Sequence, residues 1–73
     1  MSNNIRELRV ERDMKQEELA LIAGISRSHL ANIEQGNKKM TLETAKKIAD
    51  ALGITMPDPL GLWREDIDDE ATD

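Results

Sequence analysis

The sequence predicts an all-α domain made of five short helices, and three observations carry this prediction. First, 73 residues suffice for one domain with a small core, and the lack of cysteine excludes disulfide bonds and thiolate zinc sites. Second, apolar residues recur at the three- and four-residue spacing of helices, without the alternation typical of strands. Third, residues that commonly begin or end helices flank these stretches.

Each helix is expected to begin at a residue that can cap it. Asn4, with Glu7 three residues later, predicts a capping box for the first helix. Ser26 and Thr41 are expected to cap the third and fourth helices through their hydroxyl groups. The predicted helices cover about 4–12, 16–23, 27–35 and 42–52, and a short fifth helix begins at Asp58-Pro59. Four apolar residues are expected on one face of the fifth helix: Met56, Leu60, Trp63 and Ile67.

The stretch from Gln16 to Gln35 has the spacing of two short helices joined by a tight turn. Gly24 stands at the turn, where glycine adopts a positive φ without steric cost. Ala20 stands where the two helix backbones cross and where little room exists for a large side chain. The inward positions all carry apolar residues: Leu19, Ala23, Ile25, Leu30 and Ile33. A helix pair of this shape can place its second helix in the major groove of DNA.

Four segments of the chain, in this order and at these separations, carry a resemblance to a known family. They are Gln-Glu-Glu-Leu-Ala at 16–20, Ala-Gly-Ile-Ser at 23–26, Leu-Ala-Asn-Ile-Glu-Gln-Gly at 30–36, and Ala-Lys-Lys-Ile-Ala-Asp-Ala-Leu-Gly-Ile at 45–54. With them, residues 5–54 resemble the lambda-repressor-like helix-turn-helix family of prokaryotes and phages, which includes phage repressors and Cro proteins. The resemblance implies five helices and binding of duplex DNA, usually as a dimer.

The third helix is expected to present a polar face on the side opposite its buried residues. In this motif the N-terminal part of the second helix of the pair reaches the base edges. We therefore expect base contacts from four residues: Arg27, Ser28, Ala31 and Asn32. Asparagine can pair with adenine through two hydrogen bonds, and alanine can contact a thymine methyl group. His29 lies at the edge of this face and is a further candidate. The alternative is an ordinary solvated helix face.

Phosphate contacts are expected to flank the base contacts and to position the protein. Gln16 opens the second helix, where free N–H groups favour an anion, and the resemblance implies a phosphate contact there. Lys15 replaces the usual hydroxyl or amide cap and adds a positive charge. The candidate phosphate contacts are Lys15, Gln16, Ser26, Gln35, Asn37, Lys38 and Lys39. For the two lysines after the third helix, an ordinary solvated loop is the alternative.

Two further sets of residues have expected structural roles. The resemblance implies a partly buried ion pair between Arg9 and Glu34, which would fix the first helix against the third. Removing one partner would leave the other charge desolvated. The residues expected to supply dimer contacts are Leu60, Leu62, Trp63 and Ile67. The alternative, which the sequence leaves open, is that these four residues only cover the core of the monomer.

The net charge of −5 is concentrated near the C-terminus. Residues 1–56 contain nine Lys or Arg and eight Asp or Glu, whereas residues 57–73 contain Arg64 alone against seven acidic residues. The body is therefore near neutral, and the acidity of the whole chain does not argue against DNA. The sequence predicts a domain at 1–64 and an acidic tail at 65–73 without fixed structure.

These observations predict a transcription regulator that binds double-stranded DNA in a sequence-specific manner through its third helix, as a homodimer on a two-fold symmetric operator. A Cro-like protein, a prophage-type repressor and a restriction-modification controller all fit this size. The alternative is an antitoxin-like or adaptor protein whose acidic tail binds a partner. Deleting residues 65–73 would separate a tail that folds onto the DNA-binding face from one that does not.

An enzyme is not expected, because the chain has no Gly-rich phosphate loop and no apparent nucleophile–base pair. With a single histidine and no cysteine, neither a metal site nor a cofactor is expected, and no small-molecule ligand is apparent. No apolar signal segment and no run long enough to span a bilayer are present, which favours a cytoplasmic location.

Overall fold

Four α-helices and one 3₁₀ helix form the part of the chain that the computed structural model describes, residues 4–54 and 59–68. The α-helices are α1 (Ile5–Glu11), α2 (Gln16–Ala23), α3 (Arg27–Glu34) and α4 (Leu42–Leu52), and the 3₁₀ helix covers Pro59–Asp66. The all-α prediction is confirmed, and each predicted α-helix lies within one residue of its expected bounds. The expected fifth helix is 3₁₀ rather than α, so the predicted count of five α-helices is wrong.

The 3₁₀ helix departs from a regular helix at Trp63, whose backbone has φ −124° and ψ 24°. Gly61 lowers the α-helical propensity of this short stretch. The break lets the indole of Trp63 enter the core, where it is completely buried. Met56 and Asp58, expected at this helix, lie outside the described residues.

The core is built from aliphatic residues of all four α-helices around one aromatic ring. Its buried apolar members are Ile5, Leu19, Ala20, Ala23, Leu30, Ile33, Met40, Ala45, Ile48, Ala49, Leu52 and Trp63. The indole Nε1–H of Trp63 donates to Asn4 Oδ1 over 2.6 Å. Asn4 was expected to cap α1, but in the described structure its side chain forms no cap bond. A buried indole N–H needs an acceptor, and Asn4 supplies it instead of closing a capping box with Glu7.

The turn between α2 and α3 has the geometry that the sequence predicts. Gly24 adopts the left-handed conformation with φ 74°. The backbone N–H of Ile25 returns to the carbonyl of Ala20 over 3.0 Å, which satisfies an end carbonyl of α2. Ser26 Oγ then accepts the backbone N–H of His29 over 3.0 Å and caps α3. Only three residues therefore separate the two helices, which fixes their relative angle.

The segment that follows the 3₁₀ helix pairs with the loop between α3 and α4. The backbone N–H of Met40 donates to the carbonyl of Asp66 over 2.9 Å, and the N–H of Asp68 donates to the carbonyl of Met40 over 2.8 Å. Met40 and Ile67 thereby form a parallel β-bridge. The sequence places residues 65–68 in a tail without fixed structure, whereas here Ile67 packs against the core. Residues 69–73 of that tail lie outside the described residues. Among the helices of residues 4–54 and 59–68, none is long and apolar enough to cross a membrane.

Candidate nucleic-acid interface

Helix α3 buries one side and exposes the other. Leu30 and Ile33 are completely buried on the inner side. Three polar side chains that the sequence assigns to the outer side are exposed, Ser28, Asn32 and Gln35. Arg27 is also exposed, while Ala31 and His29 are half-buried. The candidate base contacts therefore share the solvent-facing side of a helix whose opposite side packs in the core.

A shallow open groove connects this helix to the loop that follows it. Its lining residues are Ile25, Ser26, His29, Asn32 and Lys38. Four of them are candidate DNA contacts from the sequence, and they come from the α3 cap, the helix itself and the loop. The structure therefore brings Lys38 to the same side of the molecule as Asn32, although five residues separate them.

The loop residues after α3 have partners of their own. Asn37 Nδ2 donates to Gln35 Oε1 over 3.0 Å, so the two polar side chains hold each other. Lys39 Nζ donates to the backbone carbonyl of Glu65 over 2.9 Å. An ammonium group carries three donors, so Lys39 keeps two after this contact. Lys39 and its neighbour Lys38 are both exposed.

At the start of α2, the side chain of Gln16 turns toward the protein. Gln16 Nε2 donates to Glu34 Oε1 over 3.3 Å. Its amide group carries a second N–H, and the start of α2 is the positive end of the helix dipole. Lys15 is exposed, and its backbone N–H donates to Glu18 Oε1 over 3.3 Å. A lysine side chain cannot accept a hydrogen bond, so only this half of a capping box forms.

Arg9 and Glu34 form the ion pair that the family resemblance implies. Arg9 Nε lies 3.0 Å from Glu34 Oε2, and their side chains are only 11% and 3% exposed. A second contact joins Arg9 Nη2 to Glu34 Oε1 over 3.2 Å, and Arg9 Nη1 donates to the carbonyl of Met14 over 2.9 Å. Together with Gln16, these contacts join α1, the α1–α2 loop, the start of α2 and the end of α3. The sequence did not reveal the roles of Met14 and Gln16 in this network, because neither follows from local spacing.

The structure describes the side chains of two of the four residues considered for a dimer surface. Trp63 is completely buried in the monomer and has no surface to offer a partner, so for this residue the core-covering alternative is correct. Ile67 is half-buried and packs against the core. The side chains of Leu60 and Leu62 lie outside the described part of the structure. In contrast, Leu21 on α2 is 82% exposed, which the helical pattern did not indicate.

Two helices joined by a three-residue turn, with an exposed polar side on the second, define a helix-turn-helix protein. The sequence profile of the helix-turn-helix family matches residues 5–58, and the chain belongs to this family.

Curated relatives carry names that agree with this class. The chain is 35% identical over 69 residues to the cryptic phage CTXphi transcriptional repressor RstR of Vibrio cholerae, a match covering 94% of this chain and 62% of RstR. It is 33% identical over 69 residues to the control protein C.BamHI of Bacillus amyloliquefaciens, covering 82% and 85% of the two chains. It is 41% identical over 54 residues to the immunity repressor protein of Bacillus phage phi105, covering 74% of this chain but 38% of that repressor. The chain thus spans less than two thirds of several relatives and most of C.BamHI.

Proposed function

We propose that this protein is a sequence-specific regulator of transcription that binds double-stranded DNA with α3 in the major groove and acts in the cytoplasm. The observation that carries the proposal is the two-sided character of α3, whose inner side is buried and whose outer side exposes Ser28 and Asn32. Three relatives, one named a phage transcriptional repressor, one a phage immunity repressor and one a control protein, support a regulatory role.

In the proposed complex the exposed side of α3 reads the bases. Asn32 can form two hydrogen bonds with adenine, Arg27 can pair with guanine, and Ser28 can bond to more than one base. Ala31 is small enough to admit a thymine methyl group. His29, at the edge of the groove, is a further DNA contact in this arrangement.

Phosphate contacts on both sides of α3 hold the helix in register. Ser26 Oγ accepts the His29 N–H, yet its own O–H can still donate to a phosphate. Gln16 and Lys15 take the phosphate at the start of α2, while Lys38 and Lys39 take one beyond the end of α3. Gln35 and Asn37 complete this second cluster. The fixed angle between α2 and α3 makes the spacing of the two clusters rigid.

We further propose that the protein acts as a homodimer, with Leu60, Leu62 and the exposed part of Ile67 at the subunit contact. A two-fold dimer of this class places its recognition helices about 34 Å apart, one turn of DNA. Sedimentation of Leu62→Gln tests the contact, with Leu21→Gln as the control because both remove one apolar side chain. A loss of the dimer in Leu21→Gln alone would move the contact to α2.

Selection from a random duplex pool at moderate salt tests the function. The proteins compared are the wild type, Ser28→Ala, Asn32→Ala and the control Lys46→Ala, which removes an exposed side chain of α4. We expect a two-fold symmetric motif in which Asn32→Ala abolishes the preference at one position per half-site, whereas Lys46→Ala leaves it intact. If neither Ser28→Ala nor Asn32→Ala changes the motif, the proposal that the outer side of α3 reads the bases is wrong. No enrichment with the wild type would refute sequence-specific binding and favour the adaptor alternative.

A further inference from the structure

The acidic segment Glu65–Asp68 is held against the loop after α3 by main-chain atoms. The carbonyl of Asp66 accepts the Met40 N–H over 2.9 Å, and the N–H of Asp68 reaches the Met40 carbonyl over 2.8 Å. The contact to Lys39 also uses a main-chain carbonyl, that of Glu65, over 2.9 Å. None of these three bonds uses the side-chain carboxylate of Glu65 or of Asp66. These three bonds therefore do not depend on the charges of Glu65 and Asp66.

This docking places negative charge beside the basic loop. Lys39 is bound directly by the segment, and Met40, the next residue, pairs with it. Lys38 shares the open groove of α3 with Asn32. The segment consequently lies next to the cations that, in the proposed function, contact phosphate at the end of the recognition helix.

We propose that the docked segment Glu65–Asp68 is a built-in electrostatic attenuator of DNA binding. Its carboxylates repel the phosphates that approach Lys38 and Lys39, and its backbone carbonyl competes for one donor of Lys39. The inference rests on the proposed placement of Lys38 and Lys39 at the DNA backbone. Because it acts through charge, the attenuation is independent of DNA sequence and fades as salt screens it.

The attenuation acts on the part of the affinity that all duplexes share. Binding to random sequence draws almost entirely on phosphate contacts, whereas operator binding also draws on base contacts. A uniform reduction in backbone attraction therefore lowers both affinities by the same factor and leaves their ratio unchanged.

The test compares two double substitutions of identical chemistry in the full chain. Glu65→Gln/Asp66→Asn removes two charges from the docked segment and preserves its main-chain bonds. The control, Glu11→Gln/Asp50→Asn, removes two charges from exposed sites elsewhere. Arg12 Nε donates to the carbonyl of Leu52 over 2.6 Å, so the ends of α1 and α4 that carry the control sites lie together. Asp50 lines a separate groove with Ile22 and Gly24.

Affinity for a random-sequence duplex and for the selected operator is measured by fluorescence anisotropy at low and high salt. For two charges within about one Debye length of a phosphate, we expect Glu65→Gln/Asp66→Asn to tighten both duplexes roughly threefold at about 0.05 M salt. The gain should fall below about 1.5-fold at about 0.5 M salt, and the control should gain less than about 1.5-fold throughout. An equal gain in both double variants, or none in the docked segment, would overturn the attenuator.

A separate variant keeps this result distinct from the proposed function. Lys38→Gln/Lys39→Gln should weaken binding and flatten its salt dependence by about two phosphate contacts. If it does so while the docked-segment variant matches its control, the DNA-binding face stands and only the attenuator is wrong. If the lysine variant binds as the wild type does, the placement of this loop at the DNA backbone is wrong, and the attenuator is overturned with it.

Discussion

Replacing Arg9 by methionine should destabilise the protein more than the loss of a surface ion pair would. Methionine retains most of the apolar stem of Arg9 but removes the guanidinium. Glu34, whose side chain is 3% exposed, would lose both of its bonds to Arg9 and retain the donor from Gln16 at 3.3 Å. A buried carboxylate without its counter-charge is the costly product of this substitution.

The magnitude follows from the burial of the pair. Breaking a buried ion pair by removing one partner costs about 3–5 kcal/mol, and the 11% exposure of Arg9 places this site near the lower end. A domain of this size has a free energy of unfolding of about 4–11 kcal/mol. A loss of about 3 kcal/mol would lower the Tm by roughly 12–24 °C. The double variant Arg9→Met/Glu34→Met should lose less than Arg9→Met alone, because no uncompensated charge remains.

Urea unfolding followed by circular dichroism and by Trp63 fluorescence measures both losses, since Trp63 is the single aromatic residue. Lys47→Met is the matched control, because it breaks the exposed pair between Lys47 and Glu43, 3.8 Å long with side chains 49% and 81% exposed, respectively. That control should cost less than about 0.5 kcal/mol. A loss below about 1 kcal/mol for Arg9→Met, or a double variant less stable than Arg9→Met, would refute the reasoning.

Three further substitutions test single features of the fold. Trp63→Phe should lower the free energy of unfolding by about 1–3 kcal/mol, because Asn4 Oδ1 loses its buried donor; an unchanged urea midpoint would contradict this. Gly24→Ala should cost about 1–2 kcal/mol from backbone strain at φ 74° alone, since an added Cβ has nothing within 4 Å; calorimetry should show a lowered Tm, and an unchanged one would argue against the strain. Ser26→Ala should cost about 1 kcal/mol through loss of the α3 cap, whereas Ser26→Asp, which retains a cap acceptor, should preserve most of the stability in the same assay.

Local features of the fold were predictable from the sequence because their causes are local. Apolar spacing located the four α-helices, and the hydroxyls of Ser26 and Thr41 cap α3 and α4 as expected. Gly24 and Gly53 end α2 and α4 with φ 74° and 70°. In each case the cause and its effect lie within a few residues, so a single sequence contains the necessary information.

Features that depend on distant contacts were missed or misjudged. The capping box expected at Asn4 does not form, because the indole N–H of Trp63, 59 residues away, donates to the side-chain oxygen of Asn4. The acidic composition of 65–73 favoured a tail without structure, yet one apolar residue, Ile67, and two main-chain bonds to Met40 fix residues 65–68. Composition describes the average of a segment, whereas the packing of residues 65–68 depends on one side chain, that of Ile67, in contact with the core.

The same contrast separates the parts of the candidate site. The outer side of α3 followed from helical geometry and Leu30 alone. The closeness of Lys38 to Asn32, and the bond from Gln16 to Glu34, required the three-dimensional arrangement of two helices and a loop. Sequence patterns therefore predict which face of α3 is exposed better than they predict which contacts support that face.

The bond between Trp63 and Asn4 extends the folded domain beyond the segment that the family profile matches. The family profile ends at residue 58, but the largest side chain of the described core comes from residue 63. During synthesis, α2 and α3 leave the ribosome before the indole that is buried in the centre of the domain. A nascent chain that has emerged only to residue 58 contains both of these helices but lacks the largest side chain of the described core.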